Sequence, residues 1–156
     1  MVLGGTLTEW LTLFVLLLGP GLVATVLWSP VLAAGRLRAL FRSLPLTGVT
    51  AVNYTLAALA LSVPWVLGYG WALDAIGGAP EAARTGEPMV DIAVQLSGLY
   101  VVALPVAAAA GLPQLGVDWD PTGYESTTWL LLVAASAYYA AIYAVPAVLM
   151  GILFSL

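Results

Sequence analysis

Four long apolar stretches, roughly residues 7–32, 46–73, 92–112 and 127–156, take up most of this 156-residue chain, and none has a charge in its middle. Crossing a hydrocarbon core of ~30 Å takes about 20 apolar residues of helix. In lipid, every backbone N–H and C=O must also be satisfied within the protein. The pattern therefore predicts an all-α, polytopic integral membrane protein: one four-transmembrane-helix bundle over residues 1–156, with short loops. Composition points the same way. The chain is 62% hydrophobic and 8% charged, against roughly 25% charged in soluble domains, so a water-facing surface lacks its raw material. Met1–Glu9 carries no basic region and no small-residue cleavage site follows the first stretch. A retained helix is expected there rather than a signal peptide.

The missing residue types narrow the chemistry. Without cysteine there are no disulfides and no thiolate metal or iron–sulfur sites; without histidine, the commonest metal and haem ligand is gone. Without lysine there can be no Schiff base. A protein with no catalytic residue, cofactor or metal is the expectation. The net charge is −4, and the cations are Arg36, Arg38, Arg42 and Arg84. A lysine-free, Ala/Val/Gly-rich chain with acidic loops resembles the proteins of halophilic archaea in composition; a GC-rich bacterium gives a similar one.

Orientation follows from the arginines. Arg36, Arg38 and Arg42 lie between the first two apolar stretches, and short cytoplasmic loops carry the Lys/Arg excess. The expectation is a multi-pass protein of the cell membrane with both termini outside, Asp74–Asp91 outside and Pro113–Ser126 inside; Arg84 is the counterweight. Trp10, Trp28, Trp71 and Trp129 fall near span ends, as in the aromatic belts of membrane proteins. Within the arginine loop, Leu37, Leu40, Phe41 and Leu44 recur at i, i+3, i+4, i+7, which predicts a short interfacial amphipathic helix. Its arginines would anchor the topology, or alternatively bind an anionic headgroup.

Each span carries a proline deep inside it: Pro20, Pro64, Pro105 and Pro146. Proline removes a helical hydrogen bond and crowds the preceding turn. Pro20 lies between Gly19 and Gly21, so a bend or local unwinding is expected there. Bent helices shape packing, or line a binding path as in transporters. Val63–Leu67 also echoes Val145–Leu149 around a proline, a hint of two tandem hairpins.

Helical spacing picks out one small or polar seam per span, and these seams are expected to face one another because small residues let membrane helices approach closely. Span two aligns Thr50, Asn53, Ala57, Ala60, Pro64 and Gly68. Span three aligns Asp91, Gln95, Gly98, Val102, Pro105 and Ala109. Span four aligns Ser136, Ala137, Ala140, Ala144, Ala147 and Gly151. Asn53 and Gln95 are expected to point inward, as hydrogen-bonding glue or as part of a pathway.

In the outer loop, Asp74, Glu81, Arg84, Glu87 and Asp91 read as a solvated connection, with Asp91 at the positive end of the third span. The inner loop Asp118–Glu125 resembles the opening of a calcium loop. Thr122 replaces a ligand, however, and Trp129 stands where the twelfth-position Glu belongs. An acidic turn with Ser126 or Thr127 as helix N-cap is expected instead. Arg36, Arg38 and Arg42 would share the inner face with Asp118, Asp120 and Glu125. The two loops either stay apart in solvent or pair across the bundle. The functional expectation is a non-enzymatic membrane protein acting by helix–helix association, as a homo-oligomer or accessory subunit. The alternative is a transporter or channel component with a path near Asn53 and Gln95. Expected partners are the lipid bilayer and itself or another membrane protein, not nucleic acid.

Overall fold

The computed structural model describes the backbone at residues 7–80 and 85–156; within these ranges, side chains are described at Val15 and from Leu18 onward. Glu81 and Arg84, and the side chain of Trp10, lie outside the described residues. Helix α1 spans Leu7–Trp28 and passes through a 3-10 turn, Ser29–Ala33, to the short α2, Gly35–Ser43. Helices α3 (Thr50–Gly78), α4 (Glu87–Gln114) and α5 (Ser126–Phe154) follow. The described residues are predominantly helical, and no strand occurs among them. Three helices, α3 to α5, are long and apolar enough to cross a membrane. A fourth joins them if Leu18–Ala33 and Gly35–Ser43, bent by 118°, count as one broken span.

The prolines act differently from expectation. All four lie inside helices, yet α1 continues through Pro20 unbroken, and the sharp bend falls at Ala34, between the 3-10 turn Ser29–Ala33 and α2. Ala34 is extended at φ −75°, ψ 117° before α2 begins, and this one residue turns the chain. Gly21 serves close approach instead of bending: a Cβ there would lie 2.5 Å from Ser62 Oγ and 2.9 Å from Leu59 Cδ2, so α1 and α3 meet at that level. The second irregularity is a π turn, Ala107–Gly111, just past Pro105 in α4.

Helix α2 is amphipathic, burying Leu37, Leu40 and Phe41 and exposing Arg38 and Arg42. The main packing runs between α4 and α5 and between α1 and α3, with α3 against α4 joining the two pairs. The core is aromatic. Trp28 meets Phe41, Tyr54 and Tyr139 at ring-centroid distances of 5.7, 5.6 and 4.8 Å. Trp65 meets Tyr69, Tyr100 and Tyr143 at 6.2, 5.8 and 5.3 Å.

This core corrects two of the three expected seams. In α5 the seam faces inward, with Ser136, Ala140, Ala147 and Gly151 buried and Ala144 half-buried, although Ala137 is exposed. In α3 the seam is split: Asn53 is buried and Thr50, Ala57 and Gly68 half-buried, but Ala60 and Pro64 are exposed, and the inward face carries Tyr54, Ala58, Trp65 and Ala72. In α4 the seam's Pro105 and Ala109 are buried, but Asp91, Gln95, Gly98 and Val102 are exposed, and Met89, Ala93 and Tyr100 take the inner face there. Large rings with a polar tip bury far more area than small residues, so the rings set how α3 and α4 rotate.

Helix ends also moved. Asp74 lies inside α3, and Asp91 sits a turn into α4, leaving Glu87 in the first turn. The N-cap of α5 is Glu125, so Ser126 and Thr127 fall within the helix and are free for other work.

Candidate functional site

Buried tyrosines carry most of the long-range polar contacts inside the bundle. Tyr139 donates to Ala58 O at 2.6 Å, Tyr54 to Thr25 O at 2.5 Å and Tyr143 to Pro20 O at 3.2 Å. Tyr100 donates to Leu61 O and Tyr69 to Tyr143 O. The last two acceptors sit three residues before Pro64 and Pro146 respectively. The carbonyl that a proline leaves without a helical donor is four residues back, so Leu61 O and Tyr143 O are its neighbours in the widened turn and take the tyrosine hydroxyl as an added donor. Pro20, Pro64 and Pro146 themselves are exposed, and only Pro105 is buried. Trp65 Nε1 is a buried donor with no partner among the described residues.

Asn53 is fully buried and fully used. Its Nδ2 donates to Phe41 O and Leu44 O, each at 2.9 Å, and its Oδ1 accepts from Thr47 N at 3.1 Å and Thr47 Oγ1 at 2.7 Å. It satisfies carbonyls at the C-terminus of α2 that have no helical donor and pins that helix to α3. Gln95 contrasts with it: exposed on α4, with no hydrogen-bond partner among the described residues. The two amides do not share a site. The inward expectation fails for Gln95 because Tyr100 and Met89 claim the inner face of α4.

The loops bearing Arg36 and Asp120 do meet, through hydroxyls. Arg36 Nη1 donates to Thr127 Oγ1 at 2.7 Å and to Thr128 Oγ1 at 2.8 Å, and Thr128 Oγ1 donates to Asp120 Oδ2 at 2.6 Å. No arginine nitrogen lies within 4.0 Å of Asp118, Asp120 or Glu125 among the described residues. The direct charge pairing expected of Arg36, Arg38 and Arg42 is therefore replaced by a threonine relay from Arg36 alone. The physical reason lies in Asp120, which is 4% exposed and already occupied. It accepts from Thr122 N at 3.1 Å, Thr122 Oγ1 at 2.9 Å and Tyr124 N at 3.1 Å, besides Thr128. Burial alone would raise this carboxyl, but the hydrogen bonds from Thr128, Thr122 and Tyr124 outweigh it and hold the group below the usual carboxylate value.

Tyr124, with φ 62°, is held in this left-handed turn by its bond to Asp120, by its ring on Trp119 at 5.5 Å, and by its hydroxyl donating to Asp118 Oδ1 at 2.8 Å. Trp119 in turn donates from Nε1 to Ala108 O at 2.7 Å, tying the loop to the π turn. Among the described residues no group of three acidic side chains converges as a metal site would need.

The outer face of α4 is the remaining feature. Asp91, Gln95, Gly98 and Val102 are exposed together on one face, and a Cβ at Gly98 would meet nothing within 4 Å. Around the side of α4, a shallow trough of about 410 Å³ runs between α4 and α5, lined by Ser97, Val101, Ala137, Ala141 and Ala144 among others. Both surfaces could have been suspected from the spacing of small and polar residues; which way each faced could not.

A family model described as "Domain of unknown function (DUF8162)" matches residues 8–156. The chain belongs to this family. The match covers every helix described above and names no activity. No curated protein and no solved structure matches the chain.

Proposed function

We propose that this DUF8162 member is a multi-pass membrane protein, a four-span bundle that works without catalysis, by docking a second copy or a larger membrane partner against the outer face of α4. The observation carrying this reading is Gln95. It sits about 12 Å from the start of α4 by helical rise, in a helix with an 18-residue stretch of mean hydropathy 1.9, exposed and unpartnered. An amide facing hydrocarbon without a partner is costly, and in membranes such groups bond across helices for ~0.5–2 kcal/mol. Gly98, one turn on, leaves room for a partner backbone, in the manner of small-residue membrane interfaces. The α4–α5 trough of alanines extends the available docking surface around the bundle.

The test exploits the absence of native cysteine. Gly98→Cys and Val102→Cys should cross-link efficiently in native membranes, either to a second copy or to a stoichiometric larger chain. Val133→Cys, on α5, should not. Gln95→Leu should weaken the same assembly in mild detergent. Uniformly weak cross-linking from all positions would end the proposal. The arginine-bearing loop also favours α2 on the cytoplasmic side and both termini outside. Single cysteines at Ser43 and Ala82 test this with a membrane-impermeant thiol reagent: labelling at 82 alone is expected, and labelling at 43 alone reverses the orientation.

A further inference from the structure

Beneath α2 the packing is incomplete. A partly open cavity of about 200 Å³ is walled by Trp28 of α1, Leu40 and Phe41 of α2, Leu104 and Ala108 of α4 and Ser136 of α5, among others. Its lining is almost wholly apolar. A cavity of ~150 Å³ with such walls stays dry and takes up small apolar molecules, since a water needs two to four polar partners. At ~30 Å³ per group, the liquid volume of a water molecule, this one has room for about six or seven chain methylenes.

Two details separate it from a packing defect. The wall from α4 is the π turn Ala107–Gly111, and π turns are found frequently at functional sites. Trp119 holds that turn from the loop side by donating to Ala108 O. The second detail is Ser136, which lines the cavity, is 4% exposed, and has no hydrogen-bond partner among the described residues. The Ser136 hydroxyl is thus open to the cavity and without a protein partner, the kind of group that a ligand oxygen satisfies.

Helix α2 also offers both halves of the chemistry of an anionic lipid. Its apolar face roofs the cavity. Its opposite face exposes Arg38 and Arg42, which line a recess with Gly35 and Thr50 and have no carboxylate partner among the described residues. An amphipathic helix of this kind belongs at the headgroup level of a bilayer.

We infer that the cavity under α2 holds one hydrocarbon chain of an anionic membrane lipid, with Ser136 hydrogen-bonded to an oxygen of that lipid and Arg38 and Arg42 facing its headgroup. The occupant is a lipid rather than a protein segment because the cavity takes a single narrow chain. A helix would need its full ~10 Å diameter.

The experiment uses the full chain, reconstituted with phosphatidylglycerol carrying a photoreactive diazirine in one acyl chain. Adducts are expected on Leu104–Leu112 and Ala135–Ser136. Adducts spread evenly over outward residues such as Val94, Val102 and Leu149 would overturn the inference. Native mass spectrometry with dioleoyl phosphatidylglycerol should show one lipid retained per chain. Ala108→Leu and Ser136→Leu, which fill the cavity, should each reduce retention on the order of tenfold, the equivalent of ~1.4 kcal/mol, while Ala103→Leu on the outside of α4 should not. Unchanged retention in both cavity variants would refute the chain assignment, and the adduct map on the unaltered protein decides if those variants fail to fold. Phosphatidylcholine should bind more weakly than phosphatidylglycerol, and Arg38→Gln with Arg42→Gln should remove the difference. Equal binding of the two lipids by the unaltered protein would refute the headgroup assignment.

Discussion

Gly86→Ala should be among the most damaging single-methyl changes in this bundle, although it adds one methyl group to a residue of ordinary conformation. Gly86 has φ −83° and ψ 4°, so a side chain costs nothing in the backbone itself. The cost is in space. A Cβ would lie 2.5 Å from Gly151 Cα and closer still to that residue's carbonyl carbon and oxygen. Carbon atoms settle at ~3.5–4.0 Å, so the start of α4 and the end of α5 would have to part by at least ~1 Å. The obstacle is backbone and cannot swing aside. Parting breaks the bond from Gly86 N to Ser155 Oγ at 3.0 Å and loosens the packing around Met89, which is fully buried. Overpacking of ~1–3 kcal/mol with about 1 kcal/mol for the hydrogen bond gives about 2–4 kcal/mol. Gly98→Ala is the contrast: it meets no atom within 4 Å and should stabilise α4 by ~0.5–1 kcal/mol through helix propensity. Reversible unfolding in mixed micelles of rising denaturing-detergent fraction, followed by circular dichroism, measures both. A Gly86→Ala protein within ~0.5 kcal/mol of the unaltered one, the range of a harmless surface change, would refute the close helix contact.

Asn53→Ala should cost about 2–4 kcal/mol, since four hydrogen bonds at ~1 kcal/mol each are lost around a buried site, and α2 should become readily cleaved by added protease. Tyr100→Phe should cost only ~0.5–1.5 kcal/mol, because the Leu61 carbonyl keeps the rest of its helical surroundings; a larger loss would mean that the hydroxyl does more than serve that carbonyl. Asp120 has a folded pKa below its ordinary value of 3.8. Its contribution is therefore fully present above that value and lost as pH falls through the folded one, and Asp120→Asn should remove this acid-labile part at a cost of ~1–3 kcal/mol. Acid unfolding profiles that coincide for the two proteins would show that the carboxylate is idle. Gly98→Leu should leave the monomer folded and reduce cross-linking at Val102→Cys; undiminished cross-linking would remove α4 from the interface.

The long apolar helices were legible because hydropathy and length are read directly from the chain, and the amphipathic α2 because Leu37, Leu40 and Phe41 recur at helical spacing. The rotation of α3 and α4 was not. Ranking faces by small and amide residues put Gln95 inside, whereas the aromatic residues at i, i+4 (Trp65 with Tyr69, Tyr139 with Tyr143) were the stronger signal. They bury more area and bring a hydroxyl that can reach a neighbouring backbone. Prolines were visible, but their partners were not: that Tyr100 and Tyr69 would meet carbonyls three residues before Pro64 and Pro146 depends on tertiary placement. Gly86 and Gly151 show the same limit, since nothing local distinguishes a glycine that permits close contact from one such as Gly98 that faces open space.

The junction between Arg36 and Asp120 shows how a chain with 8% charged residues joins its parts. Six charges were available on the two loops, and a direct pair is the obvious means. Yet an exposed ion pair contributes little and is screened by salt, while Asp120 is buried and would have to give up acceptor capacity to an arginine. Thr128 resolves this by accepting from Arg36 and donating to Asp120 at once, so a cation and an anion are connected without meeting. The same economy runs through the bundle, where tyrosine hydroxyls, Asn53 and the Trp28 indole, which donates to Ala135 O at 2.9 Å, replace charge with directed hydrogen bonds to backbone. Against that background Trp65 Nε1, Gln95 and Ser136 stand apart, each without a partner among the described residues: the first in the aromatic core, the second on the outer face of α4, the third in the cavity beneath α2. A protein that finds partners for Asn53, Asp120 and its buried tyrosines leaves Gln95 and Ser136 open to the partner helix and the lipid proposed above.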